Sequence, residues 1–198
     1  QEAVDCNRLV EELRLLVEPD ARVNDMRLHL DLAPSVPPVG ADPVQIQQVL
    51  INLVRNALDA CADCPPERRA IQIRTRALGD RHLELCVRDS GTGIASAVMD
   101  HLYSPFFTTK DNGMGMGLNI CRSIVEMHEG HLWFTRNPGG GSIFHFTLPF
   151  AAATRAIRPA LSFSTIRRSP FGAMNPLSDL TSVTPFAAVT SRRPVSAS

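Results

Sequence analysis

The apolar positions of this chain change period several times before the pattern ends. Over residues 7–17, Leu9, Leu13, Leu16 and Val17 recur at helical spacing, which predicts a helix with one apolar face. Met26 to Leu32 alternates strictly, with Leu28, Leu30 and Leu32 on one side, the pattern of a half-buried strand. Residues 34–38, rich in proline, read as a loop. Asp42-Pro43 then opens a second helix, Asp as cap and Pro in the first turn, running to about Asp63 before Pro65-Pro66. Its apolar stripe is Ile46, Val49, Leu50, Leu53, Ala57, Leu58 and Cys61; Gln45, Gln48, Asn52, Asn56 and Asp59 stack on the other side. Two alternating strands follow at 70–77 and 82–89, joined by a turn at Gly79-Asp80. A short helix is expected at 94–102, a loop at 103–114, and an amphipathic helix at 118–128 that Gly130 ends. Two last strands, 131–135 and 142–148, flank Asn137-Pro-Gly-Gly-Gly141, and beyond Phe150 no period remains.

The chain has 198 residues, enough for one domain with a buried core, and no run approaches the ~18 apolar residues that cross a bilayer. It starts with Gln1 and reads as a piece of something longer, cytoplasmic itself, with room for a membrane anchor upstream. The zero net charge is unevenly spread. Residues 151–198 hold six arginines against one acid, Asp179, a charge of +5, so the first 150 residues carry −5. An acidic body argues against a nucleic-acid footprint. The Ser/Pro/Ala-rich basic end reads as a disordered tail. Five unpatterned cysteines make no secreted disulfide framework. Cys61-Ala-Asp-Cys64 lies at a helix end, where the dipole disfavours thiolate, so it reads as structural. His128 and His131 straddle Gly130, which suits a helix end better than a metal pair.

Three clusters carry chemistry. Asn is a poor helix former, so Asn52 and Asn56, one turn apart in mid-helix, call for another reason. An amide oxygen is a hard neutral ligand, suited to a Mg²⁺ that takes its other oxygens from water and phosphates. Asp89, at a strand end before Ser-Gly91-Thr-Gly93, can accept a hydrogen bond from an adenine amine, and the glycines let backbone approach a flat base. Gly113, Gly115 and Gly117 lead into the helix at Leu118, where free amides and the dipole favour phosphate. The spacing is GxGxG, neither a dinucleotide fingerprint nor a P-loop. Lys110, the single lysine of the chain, precedes these glycines and could meet a terminal phosphate. Phe106 and Phe107 are expected to anchor this loop by packing, making it a lid.

In order and spacing these residues resemble the catalytic ATP-binding domain of sensor histidine kinases, within the superfamily that includes gyrase, heat-shock chaperones and MutL mismatch-repair proteins. Asn52-Leu-Val-Arg-Asn56-Ala57 is similar to the N box, Asp89-Ser-Gly-Thr-Gly93 to the first glycine box, Phe106-Phe-Thr-Thr109-Lys110 to the F box, and Gly113-Met-Gly-Met-Gly117-Leu118 to the second glycine box. Gly139 to Pro149 looks like the family's last strand. The resemblance spans about residues 5–150.

It implies an α+β two-layer sandwich: a mixed sheet, helices packed on one face, and a lid loop over the nucleotide. It implies ATP and Mg²⁺ as cofactors, with Asn56 on the metal, Asn52 and Lys110 at the phosphates, and Asp89, Gly91, Gly93, Thr109, Gly113, Gly115, Gly117 and Leu118 lining the nucleotide site. Residues 1–22 would be the end of a dimerisation hairpin helix and its linker, 23–150 the ATP-binding kinase domain, and 151–198 the tail. The activity implied is transfer of the ATP γ-phosphate to a histidine on a dimerisation domain, then to a response regulator receiver domain, in a homodimer. No acceptor histidine is visible: His29, His82, His101, His128, His131 and His145 all fall in the domain's own elements, so the piece by itself is expected to be inactive in autophosphorylation. The superfamily's ATPases keep a glutamate four residues before the metal asparagine. Asn52 stands there instead, with no basicity to activate water. Asp59-Ala60 also departs from the usual Lys-aromatic pair after the N box and resembles the nitrogen-regulation and oxygen-sensing branch. The alternatives are an ATPase-driven conformational machine and a non-catalytic ATP sensor.

Overall fold

The computed structural model describes residues 1–104, 106–108 and 115–151. Among these, the order of elements is β1 (Glu2–Val4), α1 (Cys6–Val23), β2 (Arg27–Leu32), β3 (Val39–Ala41), α2 (Pro43–Cys61), β4 (Ala70–Leu78), β5 (His82–Asp89), α3 (Gly117–Met127), β6 (Leu132–Arg136) and β7 (Ser142–Pro149). Five strands form one mixed sheet in the order β2-β4-β5-β7-β6. β2 and β4 pair in parallel and the remaining pairs are antiparallel. The expected α+β two-layer sandwich is what the chain forms.

Period-two patterning decides which side of the sheet is covered. Leu83, Leu85, Val87 and Asp89 of β5 share one phase, as do Phe144, Phe146 and Leu148 of β7, and all are buried. The helices lie on that face. Asp89, in phase with three core residues, is thereby aimed at the helical layer. α2 buries Ile46, Val49, Leu50, Leu53, Val54, Ala57 and Cys61. Its start is fixed twice: the Asp42 carboxylate accepts from the Val44 and Gln45 N–H groups, and the Asp42 N–H donates to His128 Nε2 at 3.0 Å. His128 Nδ1 in turn donates to the Ile124 carbonyl at 2.8 Å. His128 thus clamps the start of α2 to the end of α3. Among the described residues no group of three His, Cys, Asp or Glu could hold a metal ion, and no helix is long and apolar enough to cross a membrane.

Several expectations need correction. The first helix is longer than residues 7–17 and buries Cys6, Leu9, Val10, Leu13, Val17 and Ala21, whereas Leu16 is exposed. The period there is closer to 3.6 through Val10 and Ala21 than the leucines alone suggest. The helix passes Pro19, whose ring stands in solvent where the missing N–H costs least. The short segments β1 and β3, which pair with each other, carry too few residues to declare a period. The segment at 94–102 is a 3₁₀ turn, Ser96–His101, not an α-helix. The expected tail beyond residue 151 lies outside the described residues.

α1 shares its core with α2 and the sheet. Asn7 reinforces this, donating to the Ala33 carbonyl at 2.8 Å and accepting from the Thr75 hydroxyl at 2.7 Å. Truncating Leu13, which is fully buried, should therefore destabilise the domain by about 2–5 kcal/mol. Leu16→Ala, on the same helix, should change it by no more than about 0.5 kcal/mol. Urea unfolding of both variants checks the face assignment.

Candidate nucleotide site

The site is built where β5 runs out. Asp89 is buried to 3 % exposure, and its Oδ1 accepts from the Gly91 N–H at 2.8 Å and the Ser142 N–H at 3.1 Å. Burial pushes its carboxyl above the ordinary carboxylate range, and these two backbone donors partly offset the push. Both donors engage Oδ1, which leaves Oδ2 as the acceptor for an incoming group. A buried carboxylate with one oxygen committed to backbone is oriented before any ligand arrives.

The turn after Asp89 is pressed against the end of α2. A Cβ on Gly91 would sit 2.4 Å from the Ala60 carbonyl oxygen, and Thr92 donates to that same oxygen at 3.2 Å. Ser90 fastens the other side: its hydroxyl accepts from the Ala70 N–H at 2.9 Å and donates to the Arg68 carbonyl. Cys61 and Cys64 pack beneath it. The Cys61 sulfur lies 3.8 Å from the Ser90 hydroxyl, and Cys64 donates to the Ser90 carbonyl at 3.7 Å. Both thiols are free and buried, and burial pushes the Cys61 thiol up. A packed pair supporting a turn is the structural role expected of this CxxC. Gly93 takes φ +77° and lies within 3.3 Å of the Gly141 oxygen, measured from its ideal Cβ.

Along α2 the asparagines lie at the border of the buried stripe. Asn52 and Asn56 are both half-buried, and the Cys121 thiol of α3 donates to the Val49 carbonyl of α2 at 3.8 Å. Burial pushes that thiol up to about 11, against the opposing effect of the Asn52 amide. α3 begins at Gly117 with no side-chain cap from Met116, its N-cap residue. A Cβ on Gly117 would meet nothing within 4 Å. Leu118 is half-buried and packs on the core.

The preceding loop is described only at its ends. Thr109, Lys110 and Gly113 lie outside the described residues. Gly115 takes φ +65°, and a Cβ there would lie 2.4 Å from the Phe106 carbonyl carbon, so the two ends of the loop meet backbone to backbone. Phe106 has φ +64° and is 76 % exposed. It does not anchor the loop as expected, because the left-handed backbone turns its ring outward. Phe107 lies against the His101 ring at 5.7 Å, and Tyr103 packs on the core beneath the Arg122 guanidinium, 5.5 Å from its ring centre. Tyr103 was missed as an anchor because a lone tyrosine in a loop carries no period.

The sequence reading also missed the β6–β7 turn as part of the site. Gly140 and Gly141 both take φ +96°, and a Cβ on Gly141 would lie 2.3 Å from the Asp89 carbonyl oxygen and 2.5 Å from its Oδ1. Asn137 donates from Nδ2 to the Asp89 carbonyl at 2.7 Å. The signal was the run Asn137-Pro-Gly-Gly-Gly141 itself, longer than a simple hairpin turn requires.

A preoriented carboxylate at the end of the central strand, backbone stripped of Cβ atoms around it, and a helix start on the same helical layer are the features of a nucleotide-binding domain. The chain belongs to the histidine kinase-, DNA gyrase B- and HSP90-like ATPase family, which residues 41–152 match. It is 45% identical over 145 residues to the sensor protein FixL of Bradyrhizobium diazoefficiens, covering 73% of this chain and 28% of FixL. The chain therefore spans little more than a quarter of that relative's length. Its fold is similar to the catalytic domain of the histidine kinase ThkA, with TM-score 0.68 and 32% identity over 77% of this chain and 97% of that one. ThkA in complex with the response regulator TrrA is also similar, with TM-score 0.64 and 30% identity, over 79% of this chain and 43% of that one.

The glycines separate by what surrounds them. Gly91→Ala must displace backbone at the end of α2 and should cost about 1–3 kcal/mol. Gly117→Ala enters open space in a helix and should leave stability unchanged or raise it by up to about 1 kcal/mol. Thermal melts of the two variants test this.

Proposed function

We propose that this chain is the ATP-binding kinase domain of a two-component sensor histidine kinase. The γ-phosphate goes to a histidine on a dimerisation domain outside this chain, and from there to a response regulator receiver domain. The observation that carries the reading is Asn52. Where a hydrolase of this superfamily keeps a glutamate, α2 presents a half-buried amide. An amide cannot take a proton from water, so the phosphate is kept for a stronger nucleophile.

The residues fit ATP and Mg²⁺. Asp89 Oδ2 would accept the adenine amine, in a cleft where Gly91 and Gly93 keep backbone close to the base plane. Asn56 offers one amide oxygen to the metal, with phosphate and water completing the shell. The bound metal supplies charge neutralisation at the phosphates. The uncapped start of α3 would hold phosphate oxygens through the N–H groups of Gly117 and Leu118. Lys110, Thr109 and Gly113 complete this set in the sequence. The chain's own contribution is positioning: it orients the nucleotide for the transfer. The response regulator is inferred from ThkA and TrrA, and a homodimer from the dimerisation domain. The buried face of α1 is spent on this domain's core, so a hairpin partner for residues 1–22 would have to use the opposite side, where Leu15 and Leu16 are exposed.

Asp89→Asn separates binding from folding. A neutral amide removes a charge-assisted hydrogen bond worth about 1.5–3 kcal/mol, so ATP should bind roughly ten- to a hundredfold more weakly. The sign for folding is opposite. A carboxyl whose folded pKa is raised favours the protonated form, so its contribution to stability falls as pH rises through the shifted value. The unliganded Asn variant should therefore be at least as stable as the parent at pH 7. Calorimetric titration with ATP and melts without it read the two effects; unchanged ATP affinity would remove the adenine assignment.

Transfer is tested with γ-labelled ATP and Mg²⁺. The chain alone should release almost no phosphate, and should label a separately added histidine-bearing hairpin domain from the FixL relative. Steady turnover without an acceptor would favour the ATPase machine instead.

A further inference from the structure

The β6–β7 turn holds a buried amide that the reading above leaves without a task. Asn137 is 7 % exposed and both ends of its side chain are occupied. Nδ2 donates to the Asp89 carbonyl at 2.7 Å, while Oδ1 accepts from Arg88 Nη2 at 2.8 Å and from the Gly139 N–H at 3.3 Å. Its backbone closes the turn, donating to the Gly141 carbonyl at 3.1 Å and accepting from the Gly140 N–H at 2.9 Å. The amide can face only one way. A guanidinium has no acceptor and a carbonyl no donor, so oxygen must meet Arg88 and nitrogen must meet Asp89.

These bonds make one unit of two segments 48 residues apart. Arg88 lies on the sheet face away from the helices, by its phase along β5. It grips the turn through Asn137, and Asn137 grips the backbone of Asp89. The turn so fixed brings the Ser142 N–H within 3.1 Å of Asp89 Oδ1. The ideal Cβ position of Gly141, 2.5 Å from that same oxygen, measures how tightly turn and carboxylate are pressed together. Which carboxylate oxygen faces the ligand therefore depends on Asn137, although Asn137 touches the carbonyl of Asp89 and not its carboxylate.

We infer that Asn137 is a positioning residue for base recognition: it locks the glycine turn onto the Asp89 backbone, so that Oδ2 stays aimed at the exocyclic amine of the purine. The inference rests on the adenine reading of Asp89 given above. Asn137→Asp is the sharpest probe. The new carboxylate still accepts from Arg88 and Gly139, but it cannot donate to the Asp89 carbonyl and sets oxygen against oxygen there.

The readout is the ratio of affinities for ATP and for purine riboside triphosphate, whose base lacks the amine, measured by calorimetry on the 198-residue chain. Both nucleotides see the same folded fraction, so partial unfolding cancels in the ratio. The parent should prefer ATP by about tenfold or more. Asn137→Asp should shrink that preference at least fivefold, and Arg88→Met, which unpins Oδ1 and keeps the aliphatic stem, should shrink it by about two- to threefold. Should Asn137→Asp fail to fold, Arg88→Met alone decides. A preference that survives in these variants, with both affinities falling together, would overturn the proposal and leave Asn137 a structural residue. Asp89→Asn tells the two failures apart: if it too keeps the preference, the adenine assignment is wrong; if it abolishes the preference while the Asn137 and Arg88 variants keep it, only the positioning role is.

Discussion

The structure around the pocket depends on keeping one carboxylate buried and aimed. Asp89 sits at the end of a core strand at 3 % exposure, where an unbonded charge would not survive. Two backbone N–H groups from different segments make it tolerable, one from its own turn and one from the start of β7. Bringing both to a single oxygen forces backbone to approach backbone more closely than a Cβ allows. Gly91 against Ala60 and Gly141 against Asp89 follow from that requirement, not from a general preference for flexible turns. The glycines here make a close fit possible.

α2 transmits this constraint to the rest of the site. Its last turn supplies the Ala60 carbonyl that the turn after Asp89 leans on, and its middle carries Asn56 and Asn52. Its first residue is capped by Asp42 and held by His128 from α3. One helix thus joins the Asp89 turn to the two asparagines, and α3 is registered to it by His128 at one end and by the Cys121 thiol, which donates to the Val49 carbonyl, within its body. The two thiols at the end of α2 and the thiol on α3 serve as small packing groups at these joints. Burial raises the Cys61 and Cys121 pKa values, which suits packing and opposes redox chemistry.

What could be read from sequence follows from how each feature is encoded. Strands β4 and β5 and helix α2 each have one mainly buried face, so periodicity reveals them within a residue or two, while β7, buried on both faces, is marked by its run of apolar and aromatic residues. Asp89 was legible because a carboxylate before Gly-x-Gly at a strand end is locally unusual. Asn137, Ser142 and Tyr103 were not, since each acts through a contact with a segment distant in sequence and none sits in a period. Leu16 was misplaced because a leucine count weighs apolar residues equally, while the helix turns by 100° per residue and Val10 and Ala21 fix the face. Phe106 failed for a different reason: its exposure comes from a positive φ that residue type alone does not announce.

That positive φ has a structural cause. Phe106 and Gly115 bracket the segment carrying Lys110, and their backbones touch. A non-glycine residue in the left-handed region costs of order 1–3 kcal/mol and persists when its surroundings over-determine it. Gly115 does so here, since any side chain at that position would push Phe106 out of the conformation that closes the loop. The second glycine box therefore has two physical tasks. Gly117 leaves space at a helix start, where an anion can approach, and Gly115 removes bulk at a crossing, where the chain must return past itself. One motif thus serves two unrelated steric needs, and these explain the spacing better than flexibility does.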